Sequence, residues 1–259
     1  MVILSPLFSR YKDSFLLFAF RHLDRMRLCR PKQLADILAT EMTYLYNIAC
    51  IITYKDVQEK EIEELKQWVL QLPDTFDLTQ MQILFTAKTE ELNLRAFQPR
   101  DYNYSFTTVW DTIHFLCIII DDMVNDREAL GYKIVTTNLS QLKAIFYNLF
   151  LQLECALCRD HYITVKGFLI LQIERIEWCL NREQYGEKIV FVDEITTRNE
   201  TQNVLMRHGM LYASMVFHNH INEYKYVQRK MQPPVNFDKM KWNEYKKLLD
   251  INNNTTIKN

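Results

Sequence analysis

The sequence predicts an all-α protein built as bundles of amphipathic helices. Apolar residues recur at three- and four-residue spacing through most of the chain, as do Ile62, Leu65, Val69 and Leu72, which gathers them on one helix face. Pro73, Pro99 and the pair Pro233–Pro234 fall between the periodic stretches, where a ring without an N–H stops a helix. One run only, Lys188–Glu194, has the composition of a strand, and its polar surroundings make it read as a loop with some extended structure.

In chain order, a first helical stretch covers roughly residues 33–53 and a second the segment Glu59–Leu72. The charge run Glu59–Glu64 in the latter is read as a solvated face. A third spans 77–94 and opens on Asp77 and Thr79, side chains suited to capping the free amides of a first turn. Further stretches cover roughly 105–126, 138–153, 156–181, 203–231 and 238–249, and the polar end after residue 249 reads as a flexible tail. A weak internal echo aligns residues 40–52 with 107–119, four identities in thirteen, including Cys50 with Cys117. Thr43 and Asn47 of the first copy stand where the second has Trp110 and His114. The expected organisation is an N-terminal degenerate helical bundle over 1–98, a second bundle carrying the site over 99–249, and a tail over 250–259.

Composition removes several function classes. Lys and Arg total 31 against 32 Asp and Glu, so no basic footprint for nucleic acid or an anionic membrane is expected. The longest apolar run, residues 115–120, is too short to span a bilayer. Arg10, Lys12 and Asp13 interrupt the N-terminal apolar segment, which therefore lacks the core of a secretory signal. A soluble protein of a reducing compartment is expected, and its six cysteines do not read as a disulfide framework. Cys50, Cys117 and Cys179 read as small buried core residues. The four glycines, Gly131, Gly167, Gly186 and Gly209, are too scattered to build a phosphate-cradling loop. Any nucleotide cofactor must then be held by side chains on helices.

Three clusters carry candidate chemistry. Cys155 and Cys158 are three apart, hence on one helix face within disulfide reach. At a helix N-terminus the dipole would lower a thiolate pKa. The pair by itself also allows two buried thiols, or half of a zinc site with His161. Trp110 and His114 are four apart and present an indole and an imidazole side by side, an arrangement equally suited to core packing. His218 and Asn222 share a face, with Asn219 beside them and His220 directed elsewhere. Such polar residues in an apolar helix need partners if buried, and a ligand rich in donors and acceptors would supply them.

Taken in order, W-x-x-x-H, C-x-x-C and H-N-x-x-N resemble the Erv/ALR family of FAD-linked sulfhydryl oxidases over roughly residues 100–245. The whole chain, with PLFSRYKDSF at its start, ELNLR, CRDHY, FHNHIN and WNEYKKLL, closely resembles the baculovirus sulfhydryl oxidases. The resemblance implies a helical bundle of Erv/ALR type holding FAD against the C-x-x-C. Cys158 would be the flavin-proximal sulfur and Cys155 the outer one that meets substrate. Trp110 and His114 would pack on or bond the flavin nucleotide. His218, Asn222 and Asn219 would contact its adenine end, with Trp242 covering it.

The chain departs from the family pattern in places. Thr107–Thr108 replaces the usual Gly-Arg, leaving Thr107 as the candidate contact there. Lys225 or Arg229 is expected to serve the phosphates, where the family's usual residues are missing. No second C-x-x-C shuttle is present in the sequence, so Cys155 would meet substrate directly. The implied activity is oxidation of dithiol proteins with oxygen reduced to hydrogen peroxide, serving viral protein maturation. The implied setting is host cytoplasm and nucleus or the virion, as a homodimer without nucleic acid or a membrane span. A zinc module and a non-catalytic helical virion scaffold are the competing readings.

Overall fold

The computed structural model of the chain describes residues 5–54, 56–195 and 203–251. Its elements run α1 (Pro6–Leu28), α2 (Lys32–Tyr54), α3 (Glu59–Leu70) and α4 (Leu78–Glu91). A short turn of 3-10 helix at Arg95–Phe97 leads to α5 (Phe106–Asn125), α6 (Arg127–Leu130) and α7 (Tyr132–Asn148). A second 3-10 turn, Leu149–Gln152, precedes α8 (Ala156–Val165) and α9 (Gly167–Gln184), then β1 (Val190–Val192), β2 (Val204–Met206), α10 (Gly209–Gln228) and α11 (Trp242–Leu248). The protein is all-α, as its periodicity indicates. Asp77 caps α4 in a reciprocal box: its side chain accepts the Gln80 amide at 2.8 Å while Gln80 accepts the Asp77 amide at 2.9 Å.

Three local features differ from the reading of the sequence. The N-terminal segment forms the long helix α1, in which Phe15, Phe18, Phe20 and Leu23 are buried. The stretch 156–181 is two helices, because the ladder is interrupted at Lys166 before Gly167, a weak helix former, begins α9. Residues 190–192 form a genuine strand, paired in parallel with Val204–Met206, so the segment read as helix from 203 begins as strand. Pairing between segments distant in sequence leaves no local periodicity to detect.

The chain divides into two compact units. One is Arg10–Thr112; the other joins the described residues up to Ser9 with those from Ile113 onward. α1 and α5 each contribute to both, and the cut read from the sequence falls before α5. The first unit buries Phe20 against Phe85 and Tyr102 at ring separations of 5.0 and 4.9 Å, and Tyr46 against Phe97 at 5.5 Å. Its polar fasteners are equally specific. Arg10 makes a two-pronged bond to Asp111, both contacts 2.9 Å, and Ser14 donates to the same carboxylate. Buried Arg27 donates to Asp24 and to the carbonyls of Pro73 and Phe76. His22, wholly buried against the Leu38 carbonyl, has its pKa lowered to about 4 by desolvation.

The second unit centres on α5 and α10, flanked by α9, which packs on both α7 and α10. Phe115, Leu116, Cys117 and Ile120 of α5 and Met210, Leu211, Ser214 and Phe217 of α10 are buried. Arg127 pairs in a fork with Glu183 of α9, both contacts 2.7 Å. Asp121 sets the start of α10. Its two carboxylate oxygens accept the Met210 and Leu211 amides at 3.0 and 2.9 Å, so a residue ninety positions away does the work of a local cap. Burial raises the Asp121 pKa well above its usual value, against the two amides. Replacing Asp121 by Ala leaves both amides without this acceptor in the core. A loss of about 2–4 kcal/mol in urea unfolding is expected, with Asp121→Asn losing less because one acceptor oxygen remains.

Candidate redox and cofactor site

The cysteine pair owes its geometry to a break in the backbone. After the turn Leu149–Gln152, Leu153 and Cys155 are extended, with φ/ψ of −92°/120° and −80°/118°. α8 therefore starts afresh at Ala156, with Cys155 in its N-cap position. Buried Tyr162 fixes α8 by donating its hydroxyl to the Phe146 carbonyl at 2.5 Å. Cys155 Sγ accepts the Cys158 amide at 3.3 Å, as a serine would in the same place.

The two sulfurs are thereby made unequal. Cys155 is exposed and Cys158 half-buried. The Cys155 pKa is lowered, first by the Cys158 thiol, then by the Cys158 amide, with Arg159 adding a smaller pull. The Cys158 pKa is pushed up to about 11 by burial and by its neighbour sulfur. An accessible, thiolate-prone outer sulfur over a shielded inner one is the arrangement that thiol–disulfide exchange uses.

Beyond the pair, α8 and α10 bring a group of rings together. His161, one turn beyond Cys158 on α8, stacks on Tyr224 of α10 at 3.6 Å and 20° and lies 5.4 Å from His220. Phe168 approaches His220 at 5.2 Å and Phe217 at 6.0 Å. Burial and the neighbouring His220 lower the His161 pKa. The Nε2 atom of His220 is buried and has no hydrogen-bond partner among the described residues, which marks a place for a polar group that the chain itself does not supply.

His114 and His218 are brought into direct contact. His114 Nδ1 lies 2.8 Å from Ser214 Oγ, and its Nε2 lies 3.0 Å from His218 Nδ1. Ser214 spends its only proton on the Leu211 carbonyl at 2.7 Å. His114 must therefore donate from Nδ1, and in the neutral pair its Nε2 accepts from His218 Nδ1–H. Tyr245 of α11 meets the His114 ring edge-on at 5.4 Å.

The other residues singled out from the sequence have varied settings. Trp110 is buried one turn before His114 on α5 and meets Phe106 edge-on at 6.1 Å; Thr107 is exposed. Asn219 clasps the backbone of Met240, donating to its carbonyl at 3.0 Å and accepting its amide at 2.9 Å. Its amide thus ties down the segment before α11. Trp242 opens α11, edge-on to Tyr212 at 5.4 Å, with Lys246 over its ring. Asn222 is half-buried and Arg229 exposed; Lys225, also exposed, lies over Tyr226 at 4.9 Å.

The sequence reading missed His220, Tyr224, Ser214 and Tyr245, and weighed His161 only as a metal ligand. The i, i+3 step from Cys158 to His161 was the available signal; the partners on α10 had none. Among the described residues no group of three or more His, Cys, Asp and Glu could hold a metal ion, which leaves the zinc reading without a geometry. No helix of the described residues is long and apolar enough to cross a membrane.

A helical bundle that places an exposed cysteine at a helix N-cap, three residues before a half-buried partner, has the arrangement of a thiol–disulfide redox protein. The description Baculovirus P33 matches residues 5–251, and the chain belongs to that family. It is 47% identical over 258 residues to a protein of Autographa californica nuclear polyhedrosis virus named FAD-linked sulfhydryl oxidase, covering 97% of this chain and 100% of the relative. It is 45% identical over 282 residues to the 33 kDa early protein of Orgyia pseudotsugata multicapsid polyhedrosis virus, with the same coverage.

The unequal sulfurs predict ordered alkylation. In anaerobically reduced protein at neutral pH, iodoacetamide is expected to label Cys155 before Cys158, read by peptide mass spectrometry. Because its pKa is lowered, Cys155 should keep reacting below the pH at which an ordinary thiol falls silent; Cys158 should respond only in alkali.

Proposed function

We propose that this protein is an FAD-dependent thiol oxidase that forms disulfides in dithiol substrate proteins. The observation that carries the reading is the N-cap placement of Cys155, exposed over a shielded Cys158, in a chain 47% identical to a relative named FAD-linked sulfhydryl oxidase. The residues present fit the cofactor: the buried Nε2 of His220 has no hydrogen-bond partner among the described residues, and it sits among the aromatic rings of His161, Tyr224 and Phe168, His161 lying one turn beyond Cys158 on α8. No glycine-rich loop is needed where helices present the contacts. When bound, FAD takes two electrons from the thiol pair and yields them to oxygen, giving hydrogen peroxide.

The chain's own residues perform the exchange. A substrate thiolate attacks Cys155 of the oxidised pair, and the Cys155–Cys158 bond breaks with Cys158 as leaving group. The second substrate thiol then displaces Cys155, which departs readily because its thiolate is stabilised by the Cys158 thiol and amide and the start of α8. Trp110, His114, Thr107, His218, Asn222 and Trp242 would hold the flavin nucleotide, with Asn219 fixing the segment before α11 through Met240 and Lys225 or Arg229 toward the phosphates. The hydrogen-bond direction fixed by Ser214 gives the His114–His218 pair a defined donor and acceptor pattern for that task. The biological setting is the infected host cell, in cytoplasm and nucleus and associated with virions. There a homodimer would oxidise viral proteins that mature without the secretory pathway's oxidants.

The purified protein should be yellow, and its visible flavin bands should bleach with a dithiol under argon and return in air. Cys155→Ala and Cys158→Ala should each lower dithiol-driven oxygen consumption by on the order of 1,000-fold or more with helical circular dichroism unchanged. A colourless protein, or full activity without either sulfur, sinks the reading.

A further inference from the structure

The reduced pair poses a chemical problem. Cys155 holds the thiolate comfortably, while Cys158, the sulfur on the shielded side, keeps its proton. For the pair to be oxidised again, that proton must leave a half-buried sulfur. The side chain one turn further along the same helix face is His161, and residues at this spacing have Cβ atoms about 5–6 Å apart. We propose that His161 is the base that accepts the Cys158 thiol proton during reoxidation of the cysteine pair, and that Tyr224 and His220 hold its ring for that task.

The geometry supports this role in three ways. The stack on Tyr224 at 3.6 Å and 20° fixes the imidazole plane, which a freely rotating surface histidine would lack. His161 is only partly buried, so an accepted proton can pass on to solvent. The titratable rings against it are His220 and Tyr224 from α10; Cys158 lies one turn back on its own helix, with Arg159 and Asp160 exposed beside it. Burial and His220 disfavour the imidazolium at rest, so the ring is neutral and ready to accept at neutral pH.

The step balances. Cys158 Sγ–H gives its proton to a ring nitrogen of His161. The Cys158 thiolate then gives its electron pair to the flavin that the proposed function assigns, which makes its sulfur electrophilic, and the Cys155 thiolate closes the S–S bond on it, two electrons in all having reached the acceptor. The products are the disulfide, the flavin carrying two extra electrons, and the His161 imidazolium, which returns its proton to solvent. Only the identity of the electron acceptor rests on the thiol-oxidase reading; the proton transfer concerns the protein's own groups.

The test uses full-length protein and separates the two ideas. In the Cys155→Ser background, alkylation of Cys158 by iodoacetamide is followed across pH by mass spectrometry, with and without His161→Ala. The imidazole, acting as a base while the sulfur is alkylated, should give Cys158 a labelling rate around neutral pH that the His161→Ala form lacks, with the two rates converging in alkali where the thiol ionises directly, whether or not flavin is bound. With Cys155 intact, His161→Ala should slow anaerobic bleaching of the flavin bands by a dithiol on the order of 100-fold at pH 7. The deficit should shrink as rising pH ionises Cys158 directly, and added imidazole should restore part of the rate. His161→Asn, which keeps the shape and a hydrogen bond but does not titrate, should behave as His161→Ala does. A Cys158 profile unmoved by both substitutions overturns the proposal, as does an equal loss of rate at every pH without rescue by imidazole.

Discussion

Cys155 Sγ accepts the amide of Cys158, and that bond exists only because α8 begins where it does. Had the helix run on from α7, both sulfurs would sit in mid-helix, with their amides spent on the ladder and no dipole end to favour an anion. The extended residues before Ala156 create the end. Buried Tyr162, tied to Phe146, keeps it in place. The inequality of the sulfurs descends from this one helix start, and the proposed direction of exchange and the proposed base for Cys158 rest on it. The break is made by packing, since the residues before Cys155 include neither Pro nor Gly.

α10 is the second organising element, and it works on two sides. Ser214 and His218 form one line, joined to His114 of α5. His220 and Tyr224 form another, facing His161 of α8. A single helix thereby touches both the helix that carries W-x-x-x-H and the helix that carries C-x-x-C. Its own start is fixed by Asp121 of α5, so the azimuth of every α10 side chain is referred back to the same helix that supplies His114. Rigid helices positioned by buried polar contacts can present a flat aromatic cofactor with side chains alone, which agrees with a chain that has only four glycines.

Much of this was legible in the residues. Period and proline placement gave the helical class, and the capping residue Asp77 was read correctly because N-cap chemistry is local. Cys50, Cys117 and Cys179 are buried as their apolar surroundings required. The sequence parts its helical stretches between 153 and 156, but it did not show the extended turn that fills this gap or the interruption at Lys166, since neither carries a strong helix breaker. It did not show the β1–β2 pair, because two triplets of apolar residues acquire meaning only when the chain brings them together. In the site, the order of motifs was readable but the partners of each side chain were not. Asn219 illustrates the difference: its spacing pointed to a ligand, and its amide is occupied by the backbone of Met240. His220 was set aside because it lay off the His218 face, and that offset is what turns it toward α8.

The echo between residues 40–52 and 107–119 can be weighed against the same physics. Both segments lie inside long helices, α2 and α5. The shared Cys50 and Cys117 are each fully buried. A small apolar residue at such a position satisfies packing alone. Two of the nine differences fall at candidate site positions: Thr43, which bonds its own helix through the Ala39 carbonyl, stands in place of Trp110, and Asn47 in place of His114. Of the four identities only the cysteines are buried in both copies, Thr40 and Thr107 being exposed and Ile51 exposed where Ile118 is buried. Two unrelated amphipathic helices would also share apolar residues, but nothing would oblige their cysteines to be equally buried at the same point of the alignment. The degenerate-bundle proposal for the N-terminal half therefore rests on those cysteines more than on the count of identities.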